Sequence, residues 1–110
     1  DLHRGGVRRY RDDTYYGGGE WLLLAAWLGW HHAEGGERER AGALLDWVAA
    51  QATPEGYLPE QICTDCLSPA HYQPWVERWG EVATPLLWSH AMYLILHDAL
   101  GVPAPHEVLP

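Results

Sequence analysis

Apolar positions along the chain gather into three stretches, and the way each is spaced predicts three helices joined by two long loops. Residues 1–19 keep neither a helical nor an alternating period and read as the first loop. From about Glu20 to Ala33 the apolar groups, Trp21 to Ala26 with Trp27, Leu28 and Trp30, occur all round a helical wheel. That distribution predicts a helix surrounded by other protein, ended by Gly35-Gly36. The second helix, from about Glu37 to Gln51, places Ala41, Leu44, Leu45 and Val48 at i, i+3, i+4 and i+7. Arg38, Arg40 and Asp46 are then left toward solvent, the pattern of an amphipathic surface helix. Thr53-Pro54-Glu55-Gly56 is turn chemistry and opens the second loop, which runs to about Ala83. At roughly thirty residues it is long enough to suggest function. The third helix, Leu86 to Leu100, has Thr84 as N-cap and Pro85 at the first helical position. Gly101 is its left-handed cap and Pro103 blocks continuation.

A buried helix, an exposed helix, a loop and a second buried helix make the repeating unit of an α/α barrel. Both long loops lead into the N-terminal ends of the buried helices, so the expectation is that they share one rim. Helix N-termini there offer unpaired N–H groups to a polar ligand.

Composition narrows the partners. The formal charge is -8 and all seven cations are arginine, a balance that disfavours nucleic acid and anionic membranes. The longest apolar run, Trp21 to Trp30, is too short to span a bilayer. The chain opens at Asp1 rather than methionine and carries seven tryptophans and six tyrosines in 110 residues. Such a load of large rings suits a sector of a bigger barrel, so an incomplete domain is expected, with a complete small domain as the alternative. Compartment stays open.

Several residues carry candidate chemistry. The first loop combines Arg9, Tyr10, Asp12, Asp13, Tyr15, Tyr16 and Trp21, a mixture that can stack on sugar faces and bind hydroxyls, with glycines that permit close approach. The same spacing also describes a solvated arginine–aspartate loop with tyrosines packed beneath it. Glu60, between Pro59 and Gln61, could serve as a general base, yet composition does not single it out from nine glutamates. Cys63, Cys66 and His71, with His90 as a distant fourth, offer part of a zinc site, although free thiols in a loop account for the same letters. His31-His32 suits a helix C-terminus, and His90 and His97 read as core or pocket-wall residues with hydrogen-bond partners. Glu37, Arg38, Glu39 and Arg40 form a solvated helix face. No metal and no cofactor is expected.

Resemblance selects among these alternatives. The run Arg9-Tyr10-Arg11-Asp12-Asp13-Thr14-Tyr15-Tyr16-Gly17-Gly18-Gly19-Glu20-Trp21 resembles a signature of glycoside hydrolase family 15, which contains glucoamylases, glucodextranases and some bacterial trehalases. Leu58-Pro59-Glu60-Gln61 resembles the segment that holds the family's catalytic base. Thr84-Pro85-Leu86-Leu87-Trp88-Ser89-His90-Ala91 resembles the opening of its last inner helix, and the three occur in the family's order. The resemblance implies an all-α fold: the last inner and outer helices of a partial (α/α)6 barrel, the six-hairpin toroid. Residues 1–110 would be the C-terminal fragment of one catalytic domain, completed by the remainder of its own barrel.

It further implies an inverting, exo-acting α-glucosidase with Glu60 as general base. Arg9 and Asp13 would hold sugar hydroxyls, Tyr15 would line the adjacent site, and Trp21 and Trp88 would form the aromatic wall. The general acid of the family lies upstream of this chain, so the fragment alone is expected to be inactive. Substrates would be α-glucans, oligosaccharides or, for a trehalase, trehalose. The rival from another class is a non-catalytic helical module binding carbohydrate or protein through its aromatic loops. Glu20 stands before Trp21 where fungal members carry proline, and the Cys63 to Trp79 stretch is longer than the fungal counterpart.

Overall fold

The computed structural model describes residues 6–101. Four helices dominate: α1 (Leu22–Glu34), α2 (Arg38–Ala50), α3 (Tyr72–Trp79) and α4 (Leu87–Ala99). Two-residue strands, β1 (Glu20–Trp21) and β2 (Gln61–Ile62), pair antiparallel with Glu20 opposite Ile62 and Trp21 opposite Gln61. Short 3-10 turns at Tyr15–Gly17 and Pro69–His71 complete the order. Among the described residues, no helix is long and apolar enough to cross a membrane.

α1 is the centre of the core and packs on both α2 and α4. Leu22, Ala25 and Ala26 of α1 meet Ala41, Leu44 and Val48 of α2 and Leu96 of α4, all at most 1% exposed. Burying each such leucine contributes about 1.5–3 kcal/mol. Gly29 sets how closely the three helices approach, because a Cβ there would meet Leu96 Cδ2 at 2.7 Å and Leu44 Cβ at 3.3 Å. The amphipathic face expected of α2 is the one observed, with Ala41, Leu44, Leu45 and Val48 buried.

Gly36, at φ 81°, ends α1, and Gly101, at φ 68°, follows α4 as expected. Thr53 and Gly56 close the expected turn through Gly56 N–H to the Thr53 carbonyl at 2.8 Å. His32 Nδ1 meets Glu37 Oε2 at 2.7 Å across the α1–α2 connection, a structural role for that histidine.

Several expectations are corrected. The second loop is interrupted by α3, whose Pro74 lies in its first turn, where a missing N–H costs nothing. Thr84 does not cap α4: its hydroxyl donates to the Val82 carbonyl at 3.2 Å, a cis peptide joins it to Pro85, and the helix starts at Leu87. Glu20 and Trp21 belong to β1, so α1 starts two residues later than expected.

Neither α1 nor α4 is enclosed all round. Trp27, Leu87, Trp88, Leu94 and Ile95 are exposed, so one apolar face of each helix is uncovered by the described residues. Arg38 is not simply solvated, because it donates to the Leu100 carbonyl at the C-terminal end of α4. There the carbonyls carry the negative end of the helix dipole. Cys63 and Cys66 are a bonded pair with Cα atoms 4.8 Å apart, which replaces the reading as free thiols. Among the described residues no group of three or more potential ligands could hold a metal, and His90 is engaged elsewhere.

Candidate active site

The site is built where the N-terminal ends of α1 and α4 meet the two loops. Leu58-Pro59-Glu60 has no regular structure, yet each of its main-chain polar groups is bonded. Leu58 N–H donates to His90 Nε2 at 2.9 Å, and its carbonyl accepts from Leu86 N–H at 3.0 Å. The Pro59 carbonyl accepts from the Ser89 hydroxyl at 3.0 Å in a buried contact. Glu60 N–H donates to the Ala83 carbonyl at 2.9 Å, and its carbonyl accepts from Leu22 N–H at 3.3 Å. The last bond satisfies one of the orphan donors that open α1. Because His90 Nε2 accepts, that nitrogen carries no proton, in keeping with a hydrogen-bonded wall histidine.

Gln61 extends the clamp through its side chain. Its Oε1 accepts from Gly19 N–H at 3.1 Å, while its Nε2 donates to Glu60 Oε1 at 3.1 Å. One carboxylate oxygen is thereby fixed, and the half-buried Glu60 keeps its second oxygen for another proton donor.

The first loop supplies a charged and aromatic cluster beside it. Arg9 donates from Nε and Nη2 to the two oxygens of Asp13, at 2.8 and 2.9 Å, and Tyr15 N–H donates to Asp13 Oδ1 at 3.1 Å. Asp13 is 1% exposed. The Arg9 hydrogen bonds hold its carboxyl below the usual range, and Asp13 in turn raises Arg9. The Arg9 guanidinium lies 4.6 Å from the Tyr15 ring centroid and 4.8 Å from that of Trp21, and the two rings stack at 6.2 Å. Burial pushes the Tyr15 phenol up, and the neighbouring negative charge of Glu60 pushes it the same way.

The glycines serve the chain itself. Gly17 and Gly18 take φ 80° and 71°, and a Cβ on Gly18 would meet the Asp13 carbonyl oxygen at 2.0 Å. A Cβ on Gly19 would meet the Ile62 carbonyl oxygen at 2.3 Å. Tyr16 also takes a left-handed conformation, φ 49°, a cost of about 1–2 kcal/mol, held by its buried ring and by its hydroxyl donating to the Gly80 carbonyl at 2.7 Å.

Of the expected site residues, Arg9, Asp13, Tyr15 and Trp21 come together, and Glu60 is near enough for its charge to act on the Tyr15 phenol. Trp88 stands apart from that stack at the start of α4. It is 57% exposed, and among the described residues no ring or cation stacks on it. Its neighbour Ser89 nevertheless holds Pro59, so the turn bearing Trp88 is fixed relative to Glu60.

Sequence reasoning missed Trp75, which packs against Tyr15 at 4.9 Å and Tyr16 at 5.6 Å. The spacing of Tyr72, Trp75, Val76 and Trp79, at i, i+3, i+4 and i+7, was the signal that could have found it. Trp21 Nε1 is buried with no hydrogen-bond partner among the described residues.

The chain is similar to glycosidases over most of its length. The chain is 54% identical over 101 residues to an isomaltose glucohydrolase of Kribbella flavida, covering 92% of this chain and 26% of that protein. It is 31% identical to an uncharacterised glycosyl hydrolase of Methanocaldococcus jannaschii, covering 83% of this chain and 15% of that one. Among solved structures, a wild-type glycosidase matches with a TM-score of 0.90 and 52% identity over 92% of this chain and 27% of its own. A glutamate-to-alanine variant of a glycosidase, solved in complex with glucose, matches with the same score at 51% identity. No protein-family model matches the chain. The chain spans about a quarter of the length of the isomaltose glucohydrolase and of the solved glycosidases. These likenesses support a glycosidase family and a mostly helical, partial barrel as the fold.

Proposed function

We propose that the full-length protein is an inverting, exo-acting α-glucosidase of glycoside hydrolase family 15, with Glu60 as the base that activates water. The observation that carries this reading is the clamp on Leu58-Pro59-Glu60, which fixes the half-buried Glu60 where the N-terminal ends of α1 and α4 meet. A base must be held within hydrogen-bond reach of its proton.

Glu60 would take a proton from water as the water oxygen bonds to the anomeric carbon and the bond to the departing sugar oxygen breaks. That oxygen receives its proton from a second carboxyl group, about 6.5–9.5 Å from the first in inverting enzymes. The second group lies outside this chain in our reading. The proton and the leaving group are both accounted for by carboxyls, so the step calls for no metal or cofactor. Arg9 would bind hydroxyls of the terminal sugar, with Asp13 orienting Arg9 and Trp21 forming part of the wall. Trp88 would close the wall on the non-reducing side.

The solved variants are in keeping with this reading. Replacing glutamate by alanine in the glucose complex lowers identity with this chain from 52% to 51%, as expected when the replaced glutamate is one that this chain shares. A second glutamate-to-alanine variant stays at 52%, as expected for a glutamate outside the shared part. A phenylalanine-to-tyrosine variant rises to 53%. The phenylalanine precedes the first glutamate by the same number of residues that separates Tyr15 from Glu60.

The uncovered apolar faces of α1 and α4 are what two inner helices of a single (α/α)6 domain, with α2 as an outer one, would turn toward the rest of their barrel. Residues 1–110 alone are accordingly expected to be inactive.

The test is glucose release by the full-length protein from isomaltose, maltose, dextrin and trehalose, with the first-formed anomer followed by NMR. β-Glucose from isomaltose, and none from the 110-residue chain, is the expected result. Release from trehalose alone would assign a trehalase instead. No release from any of them, with saccharide binding retained, would assign the non-catalytic module.

A further inference from the structure

Leu86 and His90, four residues apart where α4 begins, hold Leu58 by both of its main-chain groups. Leu58 N–H donates to His90 Nε2 at 2.9 Å, and the Leu58 carbonyl accepts from Leu86 N–H at 3.0 Å. Leu58 is 4% exposed, so a donor left open there has little water to turn to. We propose that His90 is a positioning residue for Glu60, two residues beyond Leu58, and that it works only as the neutral imidazole. Acid then stops the enzyme in two ways, by protonating Glu60 and by protonating His90. This role rests on the glucosidase reading and adds to it a second group that has to be free of a proton.

The bond runs in one direction only. A main-chain N–H donates, so Nε2 presents its lone pair and the ring proton sits on Nδ1. Imidazolium carries a proton on both nitrogens. Two donors would then face each other, the contact would open, and Leu58 would lose one of the two bonds that tie it to the start of α4. Pro59 keeps its bond from Ser89, and Glu60 its bonds to Ala83 and Leu22, so the segment stays in the fold while its entry loosens. Reaction geometry tolerates this poorly, because a displacement of about 1 Å can cost roughly 100-fold in rate.

Among the described residues, no carboxylate forms an ion pair with His90. α4 packs on α1 and α2. The titratable groups of α1, His31, His32 and Glu34, lie at its C-terminal end, away from the site. On α2, Arg38 bonds Leu100 at the far end of α4, and Glu39, Arg40 and Asp46 are exposed. On α4 itself, the Tyr93 and His97 rings pack together at 5.7 Å and Asp98 is exposed. The clamped segment brings Tyr57, which is exposed, and Glu60, which is bonded to Gln61.

The test follows kcat on isomaltose against pH in the full-length protein, over the range in which circular dichroism shows the fold intact. On the acid side, log kcat of the wild type should fall with a limiting slope of about two, one proton each for Glu60 and His90. In His90→Gln the slope should be about one, since the amide oxygen accepts from Leu58 without titrating. At the optimum His90→Gln should keep kcat within about twofold, while His90→Phe, which offers no acceptor, should lower it about tenfold at nearly constant KM. Equal acid slopes in wild type and His90→Gln, or an unchanged kcat in His90→Phe, overturn the proposal. Should the wild type release no glucose from any α-glucoside, the glucosidase reading fails and hydrogen exchange at the Leu58 amide decides the clamp separately. Protection, corrected for the intrinsic rate at each pH, that falls about tenfold on acidification in wild type and not in His90→Gln then supports it. Protection that follows the same course in both overturns it.

Discussion

Leu58–Ile62 and Tyr72–Trp79 belong to the same long connection, yet they are ordered in opposite ways. The first has almost no regular structure, and each main-chain polar group from Leu58 to the Glu60 carbonyl is bonded to a residue distant in sequence. The second is a regular helix with no buried residue, leaning on the first loop through Tyr16 and Trp75. Regular secondary structure is therefore a poor guide to where the chain is held most firmly. Long-range bonds to α1 and α4 hold Glu60 in place, whereas α3 satisfies its own backbone and presents a surface.

The largest expected difference between the two regions is catalytic. Glu60→Gln in the full-length protein should lower kcat at least about 100-fold, measured as glucose release, because the neutral amide cannot accept the proton from water. Loss of only a few-fold would make the clamped segment structural.

The next effect falls on the loop that flanks it. Asp13→Asn removes the charge partner of Arg9, and urea unfolding should show a loss of about 2 kcal/mol. That is less than a fully buried pair, since a third of the Arg9 side chain is exposed. The pH dependence follows from the lowered carboxyl. Its contribution is fully present above the unfolded value of about 4 and is lost as pH falls through the lower folded value. Urea midpoints measured from pH 5 down to pH 2 should therefore fall less steeply in Asp13→Asn than in wild type.

A smaller effect separates positioning from chemistry. Ser89→Ala leaves the buried Pro59 carbonyl without its donor and should cost about 1–2 kcal/mol. With Glu60 less firmly aimed, kcat should fall about tenfold while KM stays nearly constant. On α3, Gln73→Ala changes an exposed residue and should shift stability by less than about 0.5 kcal/mol in the same urea assay.

What the sequence disclosed depended on the range of the interaction. α2 was legible because its apolar spacing is local, and the Gly36 and Gly101 stops because left-handed geometry favours glycine. The Thr84-Pro85 cap was a local signal that lost to a tertiary one. The Leu58 carbonyl binds Leu86 N–H, and the helix begins beyond the proline. α3 was hidden by Pro74, which reads as a breaker although it falls where helices tolerate it.

The candidate site divides along the same line. Arg9 and Asp13, four residues apart, were visible as chemistry-bearing letters, but their mutual bidentate pairing shows only in the folded chain. Glu60 could not be told from other glutamates by composition. Its distinction lies in bonds to residues more than twenty positions away, and resemblance to a known signature had to stand in for them. The Cys-x-x-Cys spacing read as free thiols or part of a metal site, and only the fold shows the two cysteines as a bonded pair.

The role of Glu60 is tested most directly by deleting its carboxylate and supplying a small nucleophile. In full-length Glu60→Ala acting on an α-glucoside, the account predicts negligible turnover in buffer and partial recovery with azide, yielding the β-glucosyl azide. Turnover in buffer close to that of the wild type would contradict it.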